Sequence, residues 1–246
     1  MSQTIHIGLL LCHTFEPILE QVGGLNYPAI FRQQFLAADH NIRFTDFKVY
    51  EGELPDNADQ CDVWLINGSP AGVYEDIEWI HQLSDFIKQL DEVKKPTFGI
   101  CFGHQLMAQV LGGKVALSSK GWGIGASRNK VVDQALFMQP KAEMIDVMVF
   151  HQDQVEQLPK GAKVLASSDF CPHHMVQYNP HMLSIQGHPE FNTKIIQGVL
   201  SAPSFDHRPA VRAQGMANSV GTPDTQLLFQ WIMNFYRQTT SRDKSV

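Results

Sequence analysis

Cysteine is scarce in this chain, and none of it is paired by spacing. Cys12, Cys61, Cys101 and Cys171 are the only four among 246 residues, with no C-x-x-C pair and no zinc-type ligand grouping. That excludes a disulfide framework and a cysteine-based metal centre, and it predicts a reducing, cytoplasmic setting. An excess of positive charge is also missing. The 19 Lys and Arg against 25 Asp and Glu leave a formal net charge of -6, whereas non-specific nucleic-acid binding needs a basic footprint. No apolar run approaches the roughly 20 residues that cross a bilayer. Residues 1–15 have neither a basic n-region nor a small-residue cleavage site, so they read as a first strand and not as a signal peptide. No G-x-x-x-x-G-K-[ST] stretch occurs, which excludes a phosphate-cradling loop of that type. Internal repeats and low-complexity tracts are absent as well.

What is present suits one α/β domain over residues 1–246: 43% apolar and 18% charged residues supply a full core. Near-continuous apolar runs at 5–12 and 62–66, and an alternating one at 42–50, predict strands. Helical spacing at 27–38 and 77–90 places helices between them. This alternation predicts a doubly wound, mainly parallel central sheet flanked by helices. Further short strands at 114–117, 127–132, 147–150, 163–166, 175–178 and 182–186 suggest a small antiparallel extension. The glycine run at 121–125 follows a hairpin-like stretch and opens no helix, so it reads as a flexible turn and not as a dinucleotide loop. A helix is expected at 193–200. The core covers about 5–200, followed by a long loop at 201–222 and a terminal helix to 238. The polar tail 239–246 is expected to fray.

The chain turns on residues 96–113. A short apolar strand ends at Ile100, a helical pattern with Leu106, Met107, Val110 and Leu111 follows, and Cys101 sits at the join with Gly99 and Gly103 two residues to either side. A strand bending sharply into a helix needs small neighbours there, because the backbones crowd. A thiol at a helix N-terminus feels the positive end of the dipole, which favours thiolate. The N–H of Phe102 would face the oxyanion formed when sulfur attacks a carbonyl. The competing reading of Cys101 is a packed free thiol, as expected for Cys12 and Cys61.

A cysteine nucleophile needs a base, and the base an orienting group. His188-Pro189-Glu190 supplies both at the end of an apolar strand. If the tripeptide is extended, residues two apart project to one side and set imidazole beside carboxylate.

Gly99-Ile100-Cys101-Phe102-Gly103-His104-Gln105 with a downstream His188-Pro189-Glu190 resembles the class I (triad) glutamine amidotransferase family over about residues 5–200. Within it the chain is most similar to free-standing members related to the amidotransferase domain of GMP synthetase. The resemblance implies a flavodoxin-like fold and hydrolysis of L-glutamine through a γ-glutamyl thioester on Cys101, with His188 and Glu190 completing the triad. It also implies oxyanion donors on the backbone of Ser69 and Phe102, and a substrate pocket formed by Gly68, Gln105, His151, Gln152 and Asp153. It implies no cofactor and no metal. The family's Gly-Gly-Pro is Gly68-Ser69-Pro70 here, which puts the second donor on a residue less tolerant of positive φ. Its His-Gly-Asp is His151-Gln152-Asp153, a change that reshapes the pocket wall.

With no synthetase recognisable in the chain, ammonia would pass to a separate synthetase or other acceptor subunit. The close alternative is a γ-glutamyl peptidase acting on γ-glutamyl peptides or glutathione conjugates, with residues 201–222 and the Trp122 region lining an enlarged pocket. A non-catalytic regulatory subunit is the alternative from another class. A general cysteine peptidase is disfavoured by Gln105 and His-Pro-Glu. His173 and His174 beside Cys171 lack a spaced partner pair and are expected on a solvated loop. His104 is expected in the first helical turn without a chemical role, and His6, His13, His40 and His81 carry no readable signal.

Overall fold

A strand whose every residue is buried must be covered on both faces, and Ile5–Leu11 (β1) is such a strand. A computed structural model describes residues 4–15 and 18–242 of the chain. After Ile18–Gly23 (α1) comes Tyr27–Ala38 (α2). Asn26 caps it by accepting from the Ala29 amide at 2.9 Å, and Pro28 lies in its first turn. Ile42–Lys48 (β2) then pairs in parallel with β1, Ile5 opposite Ile42, and Val63–Ile66 (β3) pairs on the other side of β1. Glu78–Glu92 (α3) buries a stripe of Ile80, Leu83, Ile87 and Leu90. Thr97–Ile100 (β4) follows beside β3 and leads into Phe102–Val110 (α4).

Beyond α4 the chain turns antiparallel. Lys114–Leu117 (β5), Gly123–Val131 (β6), Met144–His151 (β7), Asp153–Gln157 (β8), Lys163–Ser167 (β9), Met175–Asn179 (β10) and Met182–Ile185 (β11) follow in order. β5 and β8 form a two-stranded ribbon of their own. The main sheet has nine strands in the order β2-β1-β3-β4-β11-β10-β9-β6-β7. Its first five strands run parallel and the rest are added antiparallel. Thr193–Ser201 (α5), Pro209–Asn218 (α6) and Thr225–Arg242 (α7) complete the chain. One apolar core lies between the sheet and α2, α5 and α7, the other between the sheet and α3 and α4. The expected doubly wound α/β architecture is therefore present, with ligand-facing loops at the carboxyl ends of β1, β3, β4 and β11. Among the described residues no helix is long and apolar enough to cross a membrane.

Three local expectations are corrected. Residues 201–222 are not one long loop: a 3-10 turn at Pro203–Phe205 precedes α6. The helix imposes no apolar period on the sequence because Gly215 is its one buried residue. It is held by Arg212, whose guanidinium donates to the Leu200 and Ser201 carbonyls and to Asp206. The expected frayed tail from 239 continues as α7 to Arg242, because Thr239 is buried and bonded back to the Phe235 carbonyl; residues 243–246 lie outside the described residues. The glycine run at 121–125 is strand from Gly123 onwards, paired with His151. The short helix α1 has no periodic signal.

The elbow glycines are required by space. A Cβ on Gly103 would lie 2.5 Å from the Ile66 carbonyl oxygen of β3, and one on Gly99 would lie 2.6 Å from the Gly103 backbone. Replacing Gly103 by Ala has to push α4 off the sheet, an overpacking cost of about 2–3 kcal/mol. Calorimetry should then find Tm lowered by about 4–12 °C, at roughly 2–4 °C per kcal/mol for a chain of this size. An unchanged Tm would show that α4 does not press on β3.

Candidate active site

Cys101 occupies the join of β4 and α4 with φ 52° and ψ -100°, a left-handed conformation a non-glycine residue holds only under strain. Its amide donates to the Ile185 carbonyl of β11 at 2.9 Å, and its carbonyl accepts from Gln105 at 3.0 Å. The side chain is thus aimed out of the sheet while the backbone is clamped from both sides. The thiol is buried, 3.9 Å from the Phe150 carbonyl oxygen and 3.7 Å from the Gln186 amide nitrogen.

His188 arrives from the next strand in space. Its amide donates to Met148 at 2.7 Å, and the chain then turns, with the Phe191 amide donating to the His188 carbonyl at 3.1 Å. This differs from the extended tripeptide expected: Pro189 presets a turn, and it is the turn that swings Glu190 back to the imidazole. Nδ1 of His188 lies 2.7 Å from Oε1 of Glu190, and the ring stacks on Phe191 at 4.3 Å and 4°. The Cys101 side chain is a hydrogen-bonding and charge partner of the same imidazole. Burial lowers the affinity of His188 for its proton, but the Glu190 carboxylate and the Cys101 sulfur outweigh burial and raise its pKa from the ordinary 6.5 to about 10.

A fourth group, which no motif in the sequence marks as functional, completes this cluster. Tyr27 is fully buried in α2, and its hydroxyl donates to Glu190 Oε1 at 2.5 Å. Burial and then the neighbouring carboxylate hold its phenol well above the ordinary range, so it remains a donor. Phe15, Phe31 and Phe191 ring it at 4.9–5.8 Å. Its one signal in sequence is its place at the start of a helix, after the Asn26 cap, and that signal is structural. Gln186, whose amide nitrogen faces the sulfur, likewise shows in sequence only as the end of a strand.

The other expected residues gather around this centre. Gly68, just past β3, leaves no room for a side chain: a Cβ there would meet His188 Cε1 at 2.8 Å and Cys101 Cβ at 3.6 Å. Ser69 lines the cavity and is not among the residues with positive φ, so its side chain adds no backbone strain. Phe102 is fully buried at the first position of α4. The amide nitrogen of Gln105 is already engaged, by the Asp153 carbonyl at 2.8 Å and Gln186 Oε1 at 3.2 Å. Gln105 thereby ties α4 to the 151–153 segment. His151 is buried with Nδ1 3.1 Å from the Asp153 carbonyl, and burial lowers its pKa to about 4. Gln152 and Asp153 are half-buried, and the Asp153 carboxylate bonds the Tyr74 hydroxyl. Cys101, His188, Ser69, Gln105 and residues 151–153 all line one open cavity of about 570 Å³.

The solvated loop expected for His173 and His174 is not found. His174 is fully buried with neither ring nitrogen bonded, Cys171 is buried, and His173 Nδ1 lies 2.8 Å from the Val155 carbonyl. The segment is pulled inward because β10 begins at Met175 in the sheet interior. His104 lies in the first turn of α4, fully buried against Ser184 at 2.7 Å. Among the described residues no group of His, Cys, Asp and Glu is arranged to hold a metal ion.

Known proteins resemble this chain in sequence and in fold. A family model described as glutamine amidotransferase class-I matches residues 31–200. The chain is 36% identical over 172 residues to γ-glutamyl peptidase 4 of Arabidopsis thaliana, covering 67% of this chain and 68% of that one. It is 33% identical over 168 residues to the glutamine-hydrolyzing GMP synthase of an Azoarcus species, 65% of this chain and 30% of the relative. A glutamine amidotransferase from Thermotoga maritima superposes with a TM-score of 0.74 at 18% identity, covering 97% of this chain and 99% of that one.

Proposed function

This chain belongs to the class-I glutamine amidotransferase family, and we propose that it is a cysteine-dependent hydrolase of a γ-glutamyl amide. The observation that carries the proposal is His188, buried between the strained Cys101 and Glu190, whose carboxylate lies 2.7 Å from its Nδ1. In the proposed reaction the Cys101 sulfur attacks the γ-carbonyl, with the amides of Phe102 and Ser69 receiving the oxyanion. The C–N bond breaks as His188 gives its proton to the leaving nitrogen, which leaves a γ-glutamyl thioester on Cys101. Water then attacks the thioester while His188 takes up its proton, and glutamate is released. Gly68, Gln105, His151, Gln152 and Asp153 shape the pocket for the glutamyl portion.

L-Glutamine is the smallest member of this substrate class, and its use would require a synthetase or other ammonia acceptor as partner. A γ-glutamyl peptide is the second reading. It is favoured by a cavity of about 570 Å³, within the range that holds ligands much larger than an amino acid, and by the relative named a γ-glutamyl peptidase.

A glutamine-like diazoketone tests the shared chemistry. Intact-mass and peptide mass spectrometry should find one adduct, on Cys101. Failure to label, together with no glutamate released from either glutamine or γ-glutamyl dipeptides, would leave the protein a non-catalytic regulatory component.

A further inference from the structure

The same cavity is lined by a second group of residues with different chemistry. Trp122, Phe150 and Phe205 form an aromatic shelf, with ring centroids 5.7 Å apart for Trp122–Phe150, 6.5 Å for Trp122–Phe205 and 5.3 Å for Phe150–Phe205. The Arg208 guanidinium lies 5.2 Å over the Trp122 ring. Trp122 precedes β6, Phe150 is in β7, and Phe205 and Arg208 come from the connection between α5 and α6. The shelf is therefore assembled from the antiparallel part of the sheet and the C-terminal helices.

Two neighbouring arginines have different duties. Arg212 is consumed in holding the chain, bonded to two carbonyls and to Asp206. Arg208 has no carboxylate within ion-pair distance among the described residues; its Nε donates only to the His207 ring at 3.1 Å. It is an exposed cation, set over a ring and facing the cavity.

Direction along the cavity follows from the chemistry. Phe150 joins the nucleophile to the shelf, since its carbonyl oxygen is 3.9 Å from the Cys101 sulfur and its ring belongs to the shelf. The leaving nitrogen departs towards the group that protonates it, His188, whose ring stacks on Phe191 in the same cavity wall. Glu75 and Asp153 supply the carboxylates of the lining, suited to an α-ammonium group, whereas Arg208 supplies a cation suited to an anion. Ammonia as the leaving group would touch none of the shelf.

We infer that Trp122, Phe150, Phe205 and Arg208 form a leaving-group subsite for an amine that carries both a flat or apolar side chain and a carboxylate. The inference rests on the reading of the protein as a γ-glutamyl amide hydrolase. The substrate class is then a γ-glutamyl-linked amino acid or peptide with an aromatic or bulky apolar side chain.

The test compares kcat/KM for γ-glutamylphenylalanine, γ-glutamylphenylalanine amide, γ-glutamylalanine and L-glutamine. In the unmodified protein the free acid should exceed its amide about tenfold, the value of about 1.4 kcal/mol for one charge-assisted contact. Arg208→Gln should bring that ratio close to one, and Trp122→Ala should lower the phenylalanine-to-alanine ratio about tenfold. A free-acid-to-amide ratio that is already one, or that Arg208→Gln leaves unchanged, overturns the inference even if glutamine is hydrolysed. If no compound is hydrolysed, the functional reading fails separately. Calorimetric binding of γ-glutamylphenylalanine to Cys101→Ser then decides the subsite: binding weakened about tenfold by Arg208→Gln supports it, and equal binding overturns it.

Discussion

Cys101→Ser lowers kcat/KM for any γ-glutamyl amide by about 10⁴-fold or more, the scale on which removal of one member of a nucleophile–base unit acts. The reason lies in His188. A serine hydroxyl must lose its proton to a base as it attacks, and an imidazole whose pKa is raised to about 10 already carries that proton at neutral pH. In the proposed reaction His188 therefore serves the leaving group and not the attacking hydroxyl, so the chemically conservative exchange is close to a full knockout. Circular dichroism and thermal melting should show the variant folded, because the strained backbone at 101 is clamped through its own amide and carbonyl. Residual activity within tenfold of the unmodified protein would mean that Cys101 is not the nucleophile.

Glu190→Gln carries the second large effect, a fall of about 10⁴-fold in kcat, by the precedent of losing the carboxylate that orients a catalytic histidine. It also changes the pH profile. With Glu190 present, His188 keeps its proton until the pH passes about 10, so the alkaline limb of kcat/KM should lie near 10. Once the carboxylate is gone, its raising influence is lost while burial still lowers the imidazole pKa, so the limb moves to lower pH. The stability linkage has the same sign. A histidine whose folded pKa is raised contributes stability that is fully present below 6.5 and is lost as the pH rises through about 10. Unfolding free energy should therefore fall between pH 7 and pH 10 in the unmodified protein, and Glu190→Gln should flatten that dependence. A limb that stays in place in the variant would show that Glu190 does not govern the titration of His188.

Much of this is legible in the sequence because the signals are local. The elbow is written in five residues: Gly99 is obliged by the Gly103 backbone and Gly103 by the Ile66 carbonyl of β3, but their spacing around Cys101 is local, and Cys101 needs no distant partner to be placed at a helix N-terminus. The parallel strands announce themselves by unbroken apolar runs, since each is buried on both faces. The nearness of His188 to Glu190 is legible too, although a proline turn and not an extended strand brings them together. Helix α6 escapes detection for the converse reason. It buries almost nothing, so it imposes no period on the sequence, and Arg212 anchors it through carbonyls that have no side-chain signature.

The chain order of apolar runs, small residues and the two chemical motifs determined, unaided, the fold class and where a thiol and an imidazole had to stand. What surrounds them was decided only by folding: Tyr27 on Glu190 across 163 residues, Gln186 beside the sulfur across 85, and Arg208 over Trp122. Such contacts leave no local pattern, because a buried hydroxyl or an unpaired guanidinium looks ordinary until another part of the chain supplies the carboxylate or ring it faces.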